Sequence, residues 1–209
     1  MVFVAWHQSQ GRGQRERRWV SEAGESIATS ILTRLEDSAA VSIMPLLVGV
    51  ALAQWLRDAS GIDAMLKWPN DLYVGDAKLG GVLTEAATRG RSAWVILGFG
   101  INHGSRLPPI SGRRTTSLVL ERPETPSLGE VTADSIHAVL ALLESRPARA
   151  EVVERARRLA FHRPGDRVEL VTPEDSVIGA YRGLDDLGRL VLETECGPRS
   201  FAAGEVVNA

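Results

Sequence analysis

Cysteine is almost missing from this chain. Cys196 is the single one in 209 residues, so no internal disulfide can form and a reducing cytoplasm is the expected setting. Histidine is nearly as sparse: His7, His103, His137 and His162 are scattered, without metal-ligand spacing or a cysteine cluster beside them, which argues against a zinc-type centre. No Ser-His-Asp pattern and no closely spaced pair of carboxylates stands out as hydrolytic machinery. Neither sign of charge dominates, with 24 Lys and Arg against 26 Asp and Glu, so no global field draws nucleic acid and none is expected as a partner. No apolar run reads as long enough to span a bilayer, and Met1-Val2-Phe3-Val4-Ala5 lacks the basic start of a signal peptide, so no membrane association is expected. Fixed-period repeats and low-complexity tracts are also lacking.

What is present is an ordinary globular composition, 44% hydrophobic, with enough length for one substantial core and a small appendage. Val2 to Trp6 is β-rich, Gln8 to Gly24 is a polar loop rich in arginine and glycine, and Ile27 to Leu35 reads as a strand. Ser42 is placed to cap a helix with Pro45 in its first turn; Leu46, Leu47, Val50, Ala51 and Trp55 follow at helical spacing, and Gly61 lies past its end. Trp94 to Ile101 is a nearly continuous apolar strand. Arg106 to Ser127 reads mostly as loop, with Ser117-Leu118-Val119-Leu120 as a docking patch. A helix is expected to start at Thr132 or Asp134, followed by a charged, solvated helix or connector over Arg146 to Arg158. From Phe161 the pattern turns to short alternating strands, as in Arg167-Val168-Glu169-Leu170-Val171, which suggests a small barrel.

The densest information lies in Lys67-Trp68-Pro69-Asn70-Asp71 and Lys78-Leu79-Gly80-Gly81. Pro69 removes a donor and biases Trp68 to extended backbone, so the first segment is a strand end entering a turn. Gly75-Asp76 suits a two-residue primed hairpin turn. The returning arm brings Lys78 beside two glycines, a cation next to bare backbone, which suits an anionic ligand lying on a sheet. Gly98, Gly100 and Asn102 sit at i, i+2 and i+4 and so face one way on a strand, a flat platform with one amide handle. In Gly11-Arg12-Gly13-Gln14-Arg15-Glu16-Arg17-Arg18-Trp19 the glycines let backbone amides approach a phosphate, and the arginines supply forked donors. Each has a plainer reading: an exposed hairpin lysine, a bulge, a basic loop or RNA-facing patch, and for Asn70-Asp71 a turn cap. Trp68 reads as core.

Taken together, in order and approximate spacing, these segments resemble the biotin protein ligases. The resemblance implies an α+β fold: a mixed β-sheet packed with helices in a class II synthetase-like catalytic domain over 1–160, then an SH3-like C-terminal β-barrel over 161–209, where Gly204-Glu205-Val206 matches a terminal strand. It implies ATP-dependent attachment of biotin to a lysine of a biotin carboxyl carrier domain of an acyl-CoA carboxylase, through biotinyl-5′-AMP, with ATP and Mg²⁺. It assigns catalysis to Lys78 and Arg12. Binding falls to Gln8, Gly11, Arg12, Gly13, Arg17, Trp19, Asn70, Asp71, Lys78, Gly81, Gly98, Gly100 and Asn102, with no resident protein-bound metal. Asn70 and Asp71 are expected to orient the loop, the triphosphate or its Mg²⁺. Pairing of two copies into a homodimer through the sheet is left open.

Three departures from the family pattern carry consequences. Gln14 replaces an arginine that helps retain the adenylate, so leakage of the mixed anhydride is expected. Glu16 replaces a glycine. The family's earlier strand and helix, with a Ser/Thr-Asn motif for the biotin ureido group, would precede Met1, and a start codon further upstream is the expected reason. The alternatives are a non-catalytic or impaired remnant of such a ligase, and a lipoate or octanoate attachment enzyme of the same fold.

Overall fold

The computed structural model describes residues 1–14, 17–20, 22–104, 114–172 and 174–208. Its centre is a six-stranded sheet of order β1-β4-β8-β7-β6-β5, built from β1 (Val2–Val4), β4 (Ser26–Leu35), β5 (Ala64–Lys67), β6 (Asp71–Val74), β7 (Ala77–Arg89) and β8 (Ser92–Asn102). Neighbouring strands are antiparallel, and among the described residues parallel pairing enters only at two isolated bridges, Leu66–Ala160 and Lys78–Thr115. One face carries alternate apolar residues. Ile27 and Ile31 of β4 and Leu97 and Ile101 of β8 are fully buried, as period-two patterning requires.

That face is covered by α1 (Met44–Ser60), with Val48, Leu52 and Leu56 completely buried. The helical run begins earlier than Ser42, in a 3₁₀ segment Ser38–Ile43 capped by the Asp37 carboxylate, which accepts from the Ala39 amide. Ser42 does not cap: its hydroxyl donates to the Ala39 carbonyl. Pro45 stands in the first turn, and Gly61 ends the helix in the left-handed region. Ser38–Ser60 is long and apolar enough to cross a membrane by length and composition, contrary to the reading of the sequence. It packs instead as the core helix, against the sheet and two later helices, Leu128–Glu144 and Arg149–Arg158.

Helix α2 (Leu118–Glu121) docks through fully buried Leu118 and is capped by Ser117. α3 (Leu128–Glu144) begins a turn before Thr132, because Ser127 and Glu130 form a reciprocal capping box. The Ser127 hydrogen bonds hold the Glu130 carboxyl below its usual range. α4 (Arg149–Arg158) is not a solvated connector: Val152, Val153 and Ala156 are buried, on the core that α1 also fills.

The C-terminal strands β9 (Arg167–Val171), β10 (Ser176–Leu184), β11 (Leu190–Thr194), β12 (Gly197–Phe201) and β13 (Glu205–Asn208) form an antiparallel sheet of order β12-β11-β10-β9-β13. Its ladder does not close between β12 and β13 among the described residues. Val168, Leu170, Leu184, Leu190 and Leu192 merge with the main core. Its β10–β11 turn is drawn tight by Asp185, which accepts from the Leu187 and Arg189 amides and the Arg189 guanidinium. Burial opposes ionisation of that carboxyl, but these hydrogen bonds and the adjacent charge bring its pKa below the usual value.

Tyr181, on β10, is only 3% exposed. Burial pushes its phenol up to about 12, with Arg157 opposing and Asp166 assisting. Because the folded value lies above the unfolded one, the stabilisation is complete below about pH 10 and fades as pH rises toward about 12. Denaturant titrations should show a loss of roughly 1 kcal/mol by about pH 11 from this group. Tyr181→Phe should remove that part of the alkaline slope.

Candidate active site

The face of the sheet opposite α1 holds the site. Ala28, Gly100, Gly81, Asp71 and Lys67 stand side by side in register across β4, β8, β7, β6 and β5. At about 4.8 Å per strand this row spans about 19 Å. Beside it runs a second row of Ser30, Gly98 and Leu83. Glycines in both rows leave backbone as the floor, the platform expected from their i, i+2 spacing.

Lys78 reaches this floor because β7 is bulged. The register shifts opposite Leu72 and Tyr73, so Leu79 joins the core, fully buried, and two residues three apart share the cleft face. The Lys78 ammonium bonds the Asp71 carboxylate at 2.6 Å, both side chains being 18% exposed. A Cβ built on Gly81 would lie 3.6 Å from the Lys78 nitrogen and 3.0 Å from Asp71 Oδ1. The cation therefore hangs over the glycine floor instead of reaching into bulk solvent.

A small hairpin roofs the floor. β2 (Gly11–Arg12) pairs with β3 (Arg18–Trp19), and the Gly13 amide donates to the Arg17 carbonyl at 2.7 Å. Gly11 is required there, since a Cβ would sit 2.5 Å from the Trp19 carbonyl oxygen and 3.0 Å from Gln8 Oε1. The Trp19 indole lies on Gly100, whose Cβ would come within 2.8 Å of two ring carbons. Its Nε1 is buried without a protein hydrogen-bond partner among the described residues. Floor and roof bound a cleft of about 980 Å³, room for an elongated small molecule together with a nucleotide.

The expected site residues converge on this cleft: all but Gly11, which sits at the root of the roof, line it. Several are engaged differently from expectation. Arg12 forks onto Glu85, with both contacts at 3.0 Å. Arg17 forks onto Glu205, one contact at 2.8 Å and a second shorter still. Each arginine is thus held by a carboxylate that a ligand oxyanion would have to replace. Asn70 clasps the Val82 backbone, donating to its carbonyl at 2.6 Å and accepting from its amide at 2.8 Å. That shapes the turn, and the Asp71 carboxylate accepts from the Lys78 ammonium. Asn102 gives its amide to the Thr116 carbonyl at 2.9 Å. Gln14 faces the cleft; Arg15 and Glu16 lie outside the described residues.

Sequence reasoning missed Glu85 and Glu205. Glu85 was findable, because beyond the bulge Gly81, Leu83 and Glu85 alternate onto one face. Glu205 was not: 188 positions separate it from Arg17. Trp68 is core as expected, 6% exposed, and its indole donates to the Gly188 carbonyl at 3.1 Å, tying the motif to the C-terminal sheet. Among the described residues no group of three His, Cys, Asp or Glu side chains clusters, and Asp71, Glu85 and Asp76 are each matched by a cation.

A lysine over a glycine floor, roofed by an arginine hairpin and flanked by a small all-β module, makes this an α+β protein whose cleft, laid along an antiparallel sheet, is suited to an anionic ligand. Within that class, the chain belongs to the biotin protein ligase family. Residues 1–102 match the Biotin/lipoate A/B protein ligase family and residues 165–207 the Biotin protein ligase C terminal domain. The Mycobacterium tuberculosis biotin--[acetyl-CoA-carboxylase] ligase is 30% identical over 227 residues, 100% of this chain and 79% of that protein. The bifunctional ligase/repressor BirA of Escherichia coli is 31% identical over 211 residues, 97% of this chain, which spans only 64% of that relative's length. The biotin protein ligase from Aquifex aeolicus in complex with biotin and ATP superposes with a TM-score of 0.83 at 27% identity, covering 99% of this chain and 87% of that one.

Proposed function

We propose that this chain joins biotin to a lysine of a biotin carboxyl carrier domain, through biotinyl-5′-AMP, in the cytoplasm. The observation that carries the reading is the Lys78 ammonium, fixed by Asp71 over the Gly81 and Gly100 floor. Biotin's carboxylate and the α-phosphate of ATP repel each other, and a cation held in a partly dry site offsets that repulsion more strongly than it would in water. In the first step a carboxylate oxygen bonds to the α-phosphorus and pyrophosphate leaves with the electron pair of the broken P–O bond. In the second, the neutral amine of the carrier lysine attacks the acyl carbon, the acyl C–O bond breaks with its electron pair leaving on AMP, and the nitrogen's surplus proton passes to solvent. Arg12 and Arg17, released from Glu85 and Glu205, clamp the adenylate, and the hairpin with Trp19 excludes water. Magnesium arrives with the nucleotide, as its triphosphate complex.

Biotin-dependent ATP–pyrophosphate exchange tests the reading. Exchange with biotin is the expected result. Exchange with lipoate alone, or with neither acid, would overturn it in favour of a lipoate-attaching enzyme or a non-catalytic remnant. Gln14 gives a second measurement. With no guanidinium at that position beside the phosphate, the adenylate should escape and label nearby lysines. Gln14→Arg should cut off-target biotinylation several-fold at matched exchange activity, the direction expected for a restored charge-assisted contact; equal labelling would count against it.

A further inference from the structure

The place of the Lys78 ammonium depends on a stretch of backbone that lies outside the sequence motifs. Among the described residues the ladder between β7 and β8 starts at Gly80–Ile101, so β8 offers Lys78 no partner. Residues 114–116 take that place, with Thr115 bridged to Lys78 in parallel. The Lys78 amide donates to the Arg114 carbonyl, and the Lys78 carbonyl accepts from the Thr116 amide, both at 2.9 Å. β7 thus changes partner between Lys78 and Gly80, and its bulge falls at that change. A bulge re-aims the side chains around it. Here it sets the Lys78 ammonium on the cleft face with Gly81.

Side chains hold residues 114–116 in turn. The Thr116 hydroxyl donates to the Glu121 carboxylate of α2 at 2.5 Å, and the Thr116 carbonyl accepts from the Asn102 amide at 2.9 Å. Arg114 meets Asp76 at 2.7 and 2.8 Å, but both partners are exposed, so water competes and the pair contributes little. Thr116 is buried beside Ser117 and Leu118, and its bond to a carboxylate is charge-assisted. We infer that Thr116, held by Glu121, is a positioning residue for adenylation: it fixes the Lys78 backbone and so aims the ammonium over the glycine floor. The inference rests on the adenylation reading and deepens it. Neither Thr116 nor Glu121 lines the cleft, so each acts only through the residues it holds. A small turn of the backbone is magnified at the end of a lysine side chain, and misplacing a reacting group by about 1 Å can cost about 10²-fold in rate.

Thr116→Val removes the hydroxyl and keeps the shape and the backbone amide, while Thr116→Ser keeps the hydroxyl. In biotin-dependent ATP–pyrophosphate exchange, Thr116→Val should lower kcat about tenfold and leave KM for biotin and for magnesium ATP within about twofold, the pattern of a contribution made only in the transition state. Thr116→Ser should recover most of the rate. Glu121→Ala, at an exposed position that leaves the core intact, should give a kcat loss of the same kind. In a Lys78→Met background Thr116→Val should cost less than about twofold, because its effect passes through the lysine. A role confined to anchoring α2 would lower thermal stability without the kcat loss. That result would overturn the inference, as would a wild-type kcat in both Thr116→Val and Glu121→Ala. So would a Thr116→Ser as slow as the valine variant, or a loss of about tenfold repeated in the Lys78→Met background. Exchange by the wild type separates the two levels: its absence sinks the adenylation reading, whereas its presence alongside unaffected variants sinks only the role of Thr116.

Discussion

Lys78→Met should lower biotin-dependent ATP–pyrophosphate exchange by on the order of 10²–10³-fold, the effect of removing one preorganised charge from a transition state. The loss should fall mainly on kcat, because the ammonium is needed most as negative charge builds on the α-phosphoryl group. A second consequence follows from the 2.6 Å contact between Lys78 and Asp71. Without the lysine, the Asp71 carboxylate remains over the floor and faces an incoming polyanion. Part of the defect in Lys78→Met is therefore repulsion that the aspartate adds, and Lys78→Met with Asp71→Asn should regain part of the rate while staying well below wild type. Asp71→Asn alone should cost less than Lys78→Met, since the ammonium is kept and the amide oxygen that replaces the carboxylate can still accept from it. A double variant no better than Lys78→Met would mean that Asp71 turns away once its partner is gone.

Much of this site was legible because it depends on local rules. Pro69 ending a strand, Gly75-Asp76 turning a hairpin, and Gly98, Gly100 and Asn102 facing one way all follow from a few neighbouring residues. The structure places each as read: Val74 pairs with Ala77 across the turn, and Gly100 pairs with Gly81. The bulge at Leu79 was not legible, since a strand of unbroken period would turn Lys78 and Gly81 to opposite faces. The engagement of the arginines was hidden for another reason. Arg12 meets Glu85 and Arg17 meets Glu205 only after distant strands have been brought together. The helix starts were misjudged through two short signals: Asp37 at the head of the 3₁₀ segment and the Ser127–Glu130 box ahead of α3. Charge misled at α4, where many arginines hid a narrow stripe of Val152, Val153 and Ala156.

Trp68→Ala should destabilise the protein by about 3–5 kcal/mol, the usual cost of deleting a buried indole, and Trp68→Phe by about 1–3 kcal/mol, because the Gly188 carbonyl then loses its donor. The site of damage matters more than its size. Gly188 sits at the tip of the β10–β11 turn at φ 81°, where a Cβ would press within 2.9 Å of Leu46 and 3.0 Å of Ile43, so the turn is docked flush on α1. Arg149 adds a bond to the Leu187 carbonyl at 3.2 Å, and Arg157 two to the Leu184 carbonyl at 3.0 and 2.8 Å. The tip is a multi-point latch with Trp68 as its buried member. Loosening it should expose the C-terminal sheet to proteolysis before the six-stranded sheet unfolds. It should also weaken the Arg17–Glu205 contact, which bridges the roof and the first residue of β13. Trp68→Phe should therefore lower C-terminal protease resistance, while Lys78→Met should lower exchange and leave that resistance intact. Wild-type resistance in Trp68→Phe would show that the arginine bonds alone hold the turn. In that case the tryptophan of the motif serves only to fill the core.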